Sequence, residues 1–229
     1  MIRKFLVLLC SVGLMASFAH AGVDKAKLDG RLNNATEVIK QIMSVPDKGI
    51  PDGIMAQATC VLVVPSLKKA AFVVGADYGQ GVITCRTGKG WSAPVFARVA
   101  GGSFGFQIGV QGTDLVLVAI NQKGMQDLLH TKIKLGADAS VAAGPVGRST
   151  QASTDVGMSA EMLTWSRNKG VFAGVDLSGA TINQNAQDTT LYYGSNVSYT
   201  DIAAGKVPVP AGAAARFVRT IAHYFHTTR

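Results

Sequence analysis

From Thr59 onward the chain is written in short runs of aliphatic, β-branched and aromatic residues punctuated by glycine, and this texture limits the fold more than any other feature. Runs at Cys60–Val64, Ala71–Val74, Gly81–Cys85, Phe104–Gln111, Leu115–Ile120, Ala139–Ala143, Glu161–Ser166, Val171–Leu177 and Ala180–Asn183 have the length and composition of strands. Pro65-Ser66, Asp77–Gly79 and Gly88–Gly90 carry turn chemistry between the early ones. A parallel pair needs a crossover of about a dozen residues or more, and spacings this short favour antiparallel pairing instead.

Helical periodicity brackets this β-rich stretch. Between Val23 and Met43 the apolar residues Leu28, Leu32, Ala35, Val38, Ile39 and Ile42 recur every three or four positions. The opposite face carries Asp24, Lys25, Lys27, Asp29, Arg31, Asn34, Glu37, Lys40 and Gln41, and Pro46 and Pro51 end the helix. Asp52–Ala58 can form a short second helix, and Asn121–Lys134 places Met125, Leu128, Leu129 and Ile133 on one face. After Pro208 and Pro210 a last amphipathic segment, Gly212–Phe225, sets Phe217, Val218, Ile221, Ala222 and Phe225 against Arg216, Arg219 and His223. These patterns predict an α+β fold: a curved antiparallel β-sheet or partial barrel packed with an amphipathic N-terminal helix and further short helices.

The first residues read as an export signal. Arg3 and Lys4 precede the apolar run Phe5–Leu9, which continues mostly apolar to Ala19, and Ala19-His20-Ala21 has the small-residue pattern of a cleavage site. The run is shorter than the roughly 20 residues that span a bilayer. Cys10 sits inside it, after Leu8-Leu9, rather than at its end where lipidation occurs. The expected organisation is a signal peptide at 1–21, a domain at 22–205, and a linker with a basic amphipathic helix at 206–229. The expected location is the periplasm or cell envelope, with no transmembrane span after cleavage.

The formal net charge is +8, with Arg3 and Lys4 of the leader among the cations, and 16% of residues are charged. An exported basic protein meets anionic lipid headgroups and other envelope phosphates before it meets nucleic acid. Cys60 and Cys85 remain after the leader, without a C-x-x-C pattern; in an oxidising compartment they form one disulfide or persist as two buried thiols.

Gly101-Gly102-Ser103-Phe104-Gly105 spells G-x-S-x-G, but a nucleophile elbow needs a strand before it and a helix after it, and Phe104–Gln111 alternates as a strand. Gly101, Gly105 and Gly109 recur at a spacing that puts all three on one strand face, where another backbone can approach. His223-x-x-His226 has a metal-like spacing without cysteine or carboxylate partners nearby. No P-loop pattern occurs. No cofactor and no catalytic residue is expected. Cations in glycine- or proline-flanked turns remain, namely Lys68, Lys69, Arg148, Arg167 and Lys169. Such turns either converge on phosphate oxygens with backbone N–H groups or are simply solvated.

Taken in order, Val63-Val64-Pro65-Ser66-Leu67-Lys68-Lys69-Ala70, Tyr78-Gly79, Trp91-Ser92-Ala93-Pro94-Val95-Phe96, Gly101-Gly102-Ser103, Leu135-Gly136-Ala137-Asp138-Ala139, Gly144-Pro145-Val146-Gly147-Arg148, Ser166-Arg167-Asn168-Lys169-Gly170 and Tyr192-Tyr193-Gly194 resemble the SYLF domain family, from about Leu28 to Ile202. The resemblance implies a lipid-binding module of β-rich body and helices, without enzymatic activity. Eukaryotic members bind phosphoinositides, partly through an amphipathic N-terminal helix, and yeast relatives bind actin. Behind an export signal the transferable part is attachment to anionic membrane lipids. The expected lipid-binding cations are Lys25, Lys27, Arg31, Lys40, Lys68, Lys69, Arg148, Arg167 and Lys169. Apolar helix positions such as Leu28, Leu32 and Ile39 either insert into lipid or pack on the sheet. The competing class is a protein-interaction or structural component of the envelope with incidental lipid contact.

Overall fold

The computed structural model describes residues 24–44, 49–71, 74–104, 109–145, 160–168, 171–174, 177–195 and 197–226. Helix α1 (residues 24–43) and α2 (Asp52–Gln57) precede strands β1 (Cys60–Ala71), β2 (Val74–Thr87), β3 (Gly90–Trp91), β4 (Val95–Phe104) and β5 (Gly109–Ala119). Then come α3 (Gln122–Leu128), β6 (Lys132–Lys134), β7 (Val141–Ala143), β8 (Met162–Asn168), β9 (Val171–Gly174) and β10 (Thr181–Gln184). Three helices close the chain: α4 (Ala186–Tyr193), α5 (Tyr199–Ala203) and α6 (Ala213–Tyr224).

The strands form one curled sheet in the order β6-β10-β4-β2-β1-β5-β8-β7, with β3 on β2 and β9 on β8. Pairing is antiparallel except between β7 and β8. That exception has a simple cause: residues 144–161 intervene, long enough for the crossover that a parallel pair requires.

Two expected turns prove to be bends within strands. The register of β1 slips between Val64 and Leu67 against β5, and Ser66 there has φ 57°. Pro65-Ser66 is thus a bulge, which twists and curls the sheet. Asp77–Gly79 lies inside β2, opposite Gly101, Ala100 and Val99 of β4. A Cβ at Gly79 would come within 2.5 Å of Val64 Cγ1, so glycine here lets the bulged strand fold tightly onto its neighbour. The helix expected across 121–134 divides into α3, capped by Asn121 Oδ1 accepting from Gly124 N at 2.8 Å, and the edge strand β6. Strand β4 before Phe104, and helices α4 and α5, were not foreseen from periodicity.

Both faces of the sheet are covered, so alternate residues of one strand enter different cores. Val61, Val63, Val82, Phe96, Val116, Val118 and Trp165 pack with α1 and α6; Leu62, Val64, Ile83, Val95, Leu115 and Leu117 pack on the other side with Ile133, Leu177, Tyr199 and Ile202. Burial on two sides accounts for the unbroken apolar runs at 60–64 and 115–120. The six apolar positions of α1 are all buried in the core it shares with the sheet. Phe217, Ile221 and Phe225 bring α6 into the same core.

Cys60 and Cys85 sit directly opposite each other on β1 and β2 and are bridged. In the chain-entropy view, closing a loop with a sequence separation of 25 contributes about 3 kcal/mol. Ser103 is a strand residue opposite Gly75, and the next described element is again a strand, so the G-x-S-x-G stretch makes no elbow. His226 Nδ1 lies 3.0 Å from the His223 carbonyl, and no group of three metal-ligating side chains exists among the described residues. No helix among the described residues is long and apolar enough to cross a membrane.

Candidate functional site

Because the apolar stripe of α1 is spent on the sheet, its charged side chains are distributed around the rim of that contact. Lys27, Gly30, Arg31 and Asn34 form one wall of a groove of about 460 Å3, and the bulge Pro65-Ser66, Lys68, Tyr78 and Gln80 form the other. Its size lies in the range of pockets that take small ligands or headgroups. Within it the cations differ sharply in character.

Arg31 is a structural residue. Its side chain is 13% exposed, its Nη1 meets Asp188 Oδ2 at 2.7 Å, its Nη2 donates to Gln80 Oε1 at 2.6 Å, and its guanidinium lies 5.4 Å from the centre of the Phe96 ring. Gln80 Nε2 in turn donates to the Tyr78 hydroxyl at 3.3 Å. A chain of contacts from Asp188 through Arg31 and Gln80 therefore holds Tyr78, which is 48% exposed and is the exposed large hydrophobic residue among the described residues.

Lys27 and Lys68 are the available charges. Lys27 is 70% exposed and its contact with Asp24, at 3.3 Å, is a surface pair one helical turn long, worth about 0–1 kcal/mol. Lys68 is exposed on β1 immediately after the bulge. The bulge itself is fixed from below, since Ser66 N donates to Asp114 Oδ1 at 3.0 Å.

Of the other expected cations, Lys25, Lys40 and Arg167 do not line this groove. Lys25 lies 5.7 Å from the centre of the Tyr192 ring, and Lys40 pairs with Glu37 at 2.8 Å further along α1. Arg167 on β8 meets Asp114 Oδ2 through Nη2 at 2.6 Å and Nε at 3.0 Å, so it braces the strand below the bulge. Arg148 and Lys169 lie outside the described residues, and of Lys69 only the backbone, paired with Asp77, is described. Tyr78, Gln80, Asn34 and Ser66 are not among the site residues expected from sequence. The signal for Tyr78 and Gln80 is the alternation Tyr78-Gly79-Gln80-Gly81, in which two glycines bury one strand face while the polar pair looks outward.

Residues 100–224 match the family model Ysc84, described as "Las17-binding protein actin regulator". The chain belongs to the Ysc84, or SYLF, domain family. The match begins within β4 and ends in α6. "SH3 domain-containing YSC84-like protein 1" of Rattus norvegicus is 30% identical over 195 residues, covering 82% of this chain and 57% of that protein. "Protein YSC84" of Saccharomyces cerevisiae is 34% identical over 171 residues, covering 73% of this chain and 36% of the yeast protein. "LAS seventeen-binding protein 3", also of Saccharomyces cerevisiae, is 34% identical over 170 residues. The chain thus spans little more than half the length of the relatives it resembles, and less of the yeast ones.

Proposed function

We propose that this SYLF protein is a non-enzymatic, peripheral lipid-binding protein of the cell envelope, exported by its N-terminal leader. In this reading the groove beside α1 meets anionic phospholipid headgroups. The observation that carries the proposal is the composition of that groove: two exposed lysines, Lys27 and Lys68, on facing walls, with an oriented and exposed Tyr78 beside Lys68. Lysines near an anionic surface each contribute about 1 kcal/mol, and tyrosine rings favour the headgroup level of a bilayer. Arg31 takes part by positioning Tyr78, not as a free cation. The remaining expected lipid cations, Lys25, Lys40, Lys69, Arg148 and Lys169, add to the general positive field.

A second reading, a protein-interaction module of the envelope, draws on the family description "Las17-binding protein actin regulator" and on the name of one yeast relative, "LAS seventeen-binding protein 3". The two separate in one experiment: sedimentation of the protein with vesicles of graded anionic content, at low and physiological salt, beside K27E/K68E. Losing about 2 kcal/mol from the two cations weakens binding about 30-fold. Equal binding to neutral vesicles, or unchanged binding by the variant, would move the assignment to a protein partner.

A further inference from the structure

The groove occupies one flank of α1, and the opposite flank has a second basic depression. At about 100° per residue, Asn33, Thr36 and Lys40 lie roughly 150° around the helix from Lys27, Arg31 and Asn34, on the other side of the buried stripe. There α6 runs alongside, and Thr36 and Lys40 of α1 face Arg216, Arg219, Thr220, His223 and Tyr224 of α6 across a cleft of about 300 Å3.

The cleft is preorganised. Phe217, Ile221 and Phe225 anchor α6 in the core, Arg86 Nη2 donates to the Phe225 carbonyl at 2.9 Å, and Arg216 Nη2 donates to Asn33 Oδ1 at 3.0 Å between the two helices. It is also under-neutralised. No acidic residue lines it and α6 carries none. The nearby carboxylates on α1 are Glu37, paired with Lys40 at 2.8 Å, and Asp29, one turn before Asn33 and hydrogen-bonded by the Tyr192 hydroxyl at 3.2 Å; neither lines the cleft. Arg216 bonds only a neutral amide, and Arg219 makes no hydrogen bond or ion pair among the described residues. Residue numbers rise together along both helices through the cleft, so their C-termini lie at the Lys40–His223 end. The partial charges there, about half a unit each, offset part of the positive charge and leave the cleft lining net positive.

We propose that the α1–α6 cleft is a binding site for a phosphate monoester. Two arginines that present N–H forks, flanked by a lysine, a histidine and the Thr220 hydroxyl, suit a dianionic group with three terminal oxygens better than the single charge of a phosphodiester. The volume is at the small end for ligand pockets, matching a phosphorylated headgroup or small phosphate ester and excluding an acyl chain. The inference stands on different residues from the groove and does not depend on the groove's binding a membrane.

The test is a titration of glycerol 3-phosphate, with glycerophosphocholine as the diester control, followed through the NMR signals of the arginine Nε–H groups and the His223 ring. Saturable shifts at Arg216, Arg219 and His223 are expected with the monoester, at least tenfold weaker in R219Q and in R216Q/R219Q, and unchanged in K27E/K68E. R219Q breaks no contact seen among the described residues, so its fold is preserved while the site is cut. Vesicles of equal charge carrying phosphatidic acid or phosphatidylglycerol then identify the source. A preference for phosphatidic acid that R216Q/R219Q abolishes assigns the site to lipid headgroups, and glycerol 3-phosphate binding without that preference assigns it to a soluble ester. No saturable shift up to about 10 mM ester, weaker than the millimolar affinity of about 4 kcal/mol, overturns the proposal, as does equal binding of the diester.

Discussion

Leu32→Ala separates a docked α1 from a membrane-inserting one. Leu32 lies at the middle of the α1 stripe and is fully buried between the helix and the sheet, among Val61, Val63, Val82 and Phe96 of the same core. Truncating a buried leucine costs about 2–5 kcal/mol, and at about 2–4 °C per kcal/mol for a chain of this size the melting temperature falls by roughly 5–20 °C. If α1 stays docked while the protein sits on a vesicle, Leu32 contributes nothing to the bilayer contact, and vesicle affinity below the melting transition stays within about twofold. If α1 instead turned its stripe into lipid, the lost side chain would remove about 1.5–3 kcal/mol of partitioning, a loss of binding of about tenfold or more. Thermal melting and vesicle sedimentation on the same preparation read both quantities. A large loss of vesicle affinity with little loss of stability would refute the docked arrangement.

Other consequences follow from particular contacts. A Cβ on Gly144 would lie 2.1 Å from Trp165 Cε2 and 2.3 Å from Cζ2, and the indole is buried with Nε1 donating to the Pro145 carbonyl at 3.0 Å. Gly144→Ala should therefore cost about 2–4 kcal/mol in chemical denaturation through overpacking and a strained hydrogen bond, and almost nothing in a Trp165→Leu background. Removing one member of the Arg31–Asp188 pair strands a largely buried charge: each single alanine variant should lose about 3 kcal/mol, and the double variant less than the sum of the two. Burial pushes the Tyr192 phenol up to about 12, helped by the nearby Asp29 carboxylate that accepts its hydrogen bond at 3.2 Å. With an unfolded value of about 10, the stabilisation is complete below that pH and is lost as pH rises towards 12. Tyr192→Phe should make the fall in melting temperature between about pH 10 and pH 12 shallower, and an unaltered profile would contradict the assignment.

The parts of the fold that were legible in the sequence share one property: a burial pattern visible in local spacing and composition, one-sided in the helices and two-sided in the strands. The α1 stripe, the α6 stripe and the strands at 60–64, 81–85 and 115–120 satisfy that condition, and each occurs where expected. The errors cluster where tertiary structure uses a residue against its local preference. Pro65-Ser66 and Asp77–Gly79 have turn chemistry, yet pairing on both sides keeps them in strands and converts the chemistry into curl. Helix α4 was invisible because its outward face is polar, and Leu191, Tyr192 and Tyr193 are too few to make a periodic pattern. It is held instead by Asn185 Oδ1 accepting from Asp188 N and by Gly194 in the left-handed conformation at its end.

That missing helix is also why the site was only partly legible. Counting cations along α1 treats Lys25, Lys27, Arg31 and Lys40 as equivalent, but α4 supplies the carboxylate that takes Arg31 out of solution and the tyrosine ring beside Lys25. No local pattern in α1 encodes a partner that arrives from residue 188. The same reasoning explains why the C-terminal cations escaped the expected set. Arg216 and Arg219 stand beyond a proline-marked linker and look peripheral until Phe217 and Ile221 draw their helix into the core beside α1. The apolar stripe of α1 is fixed by the sheet, so one helix carries a basic groove on one flank and a basic cleft on the other. Charge reversal on one flank should then leave binding at the other intact, an independence that neither a free amphipathic helix nor a diffuse positive surface would show.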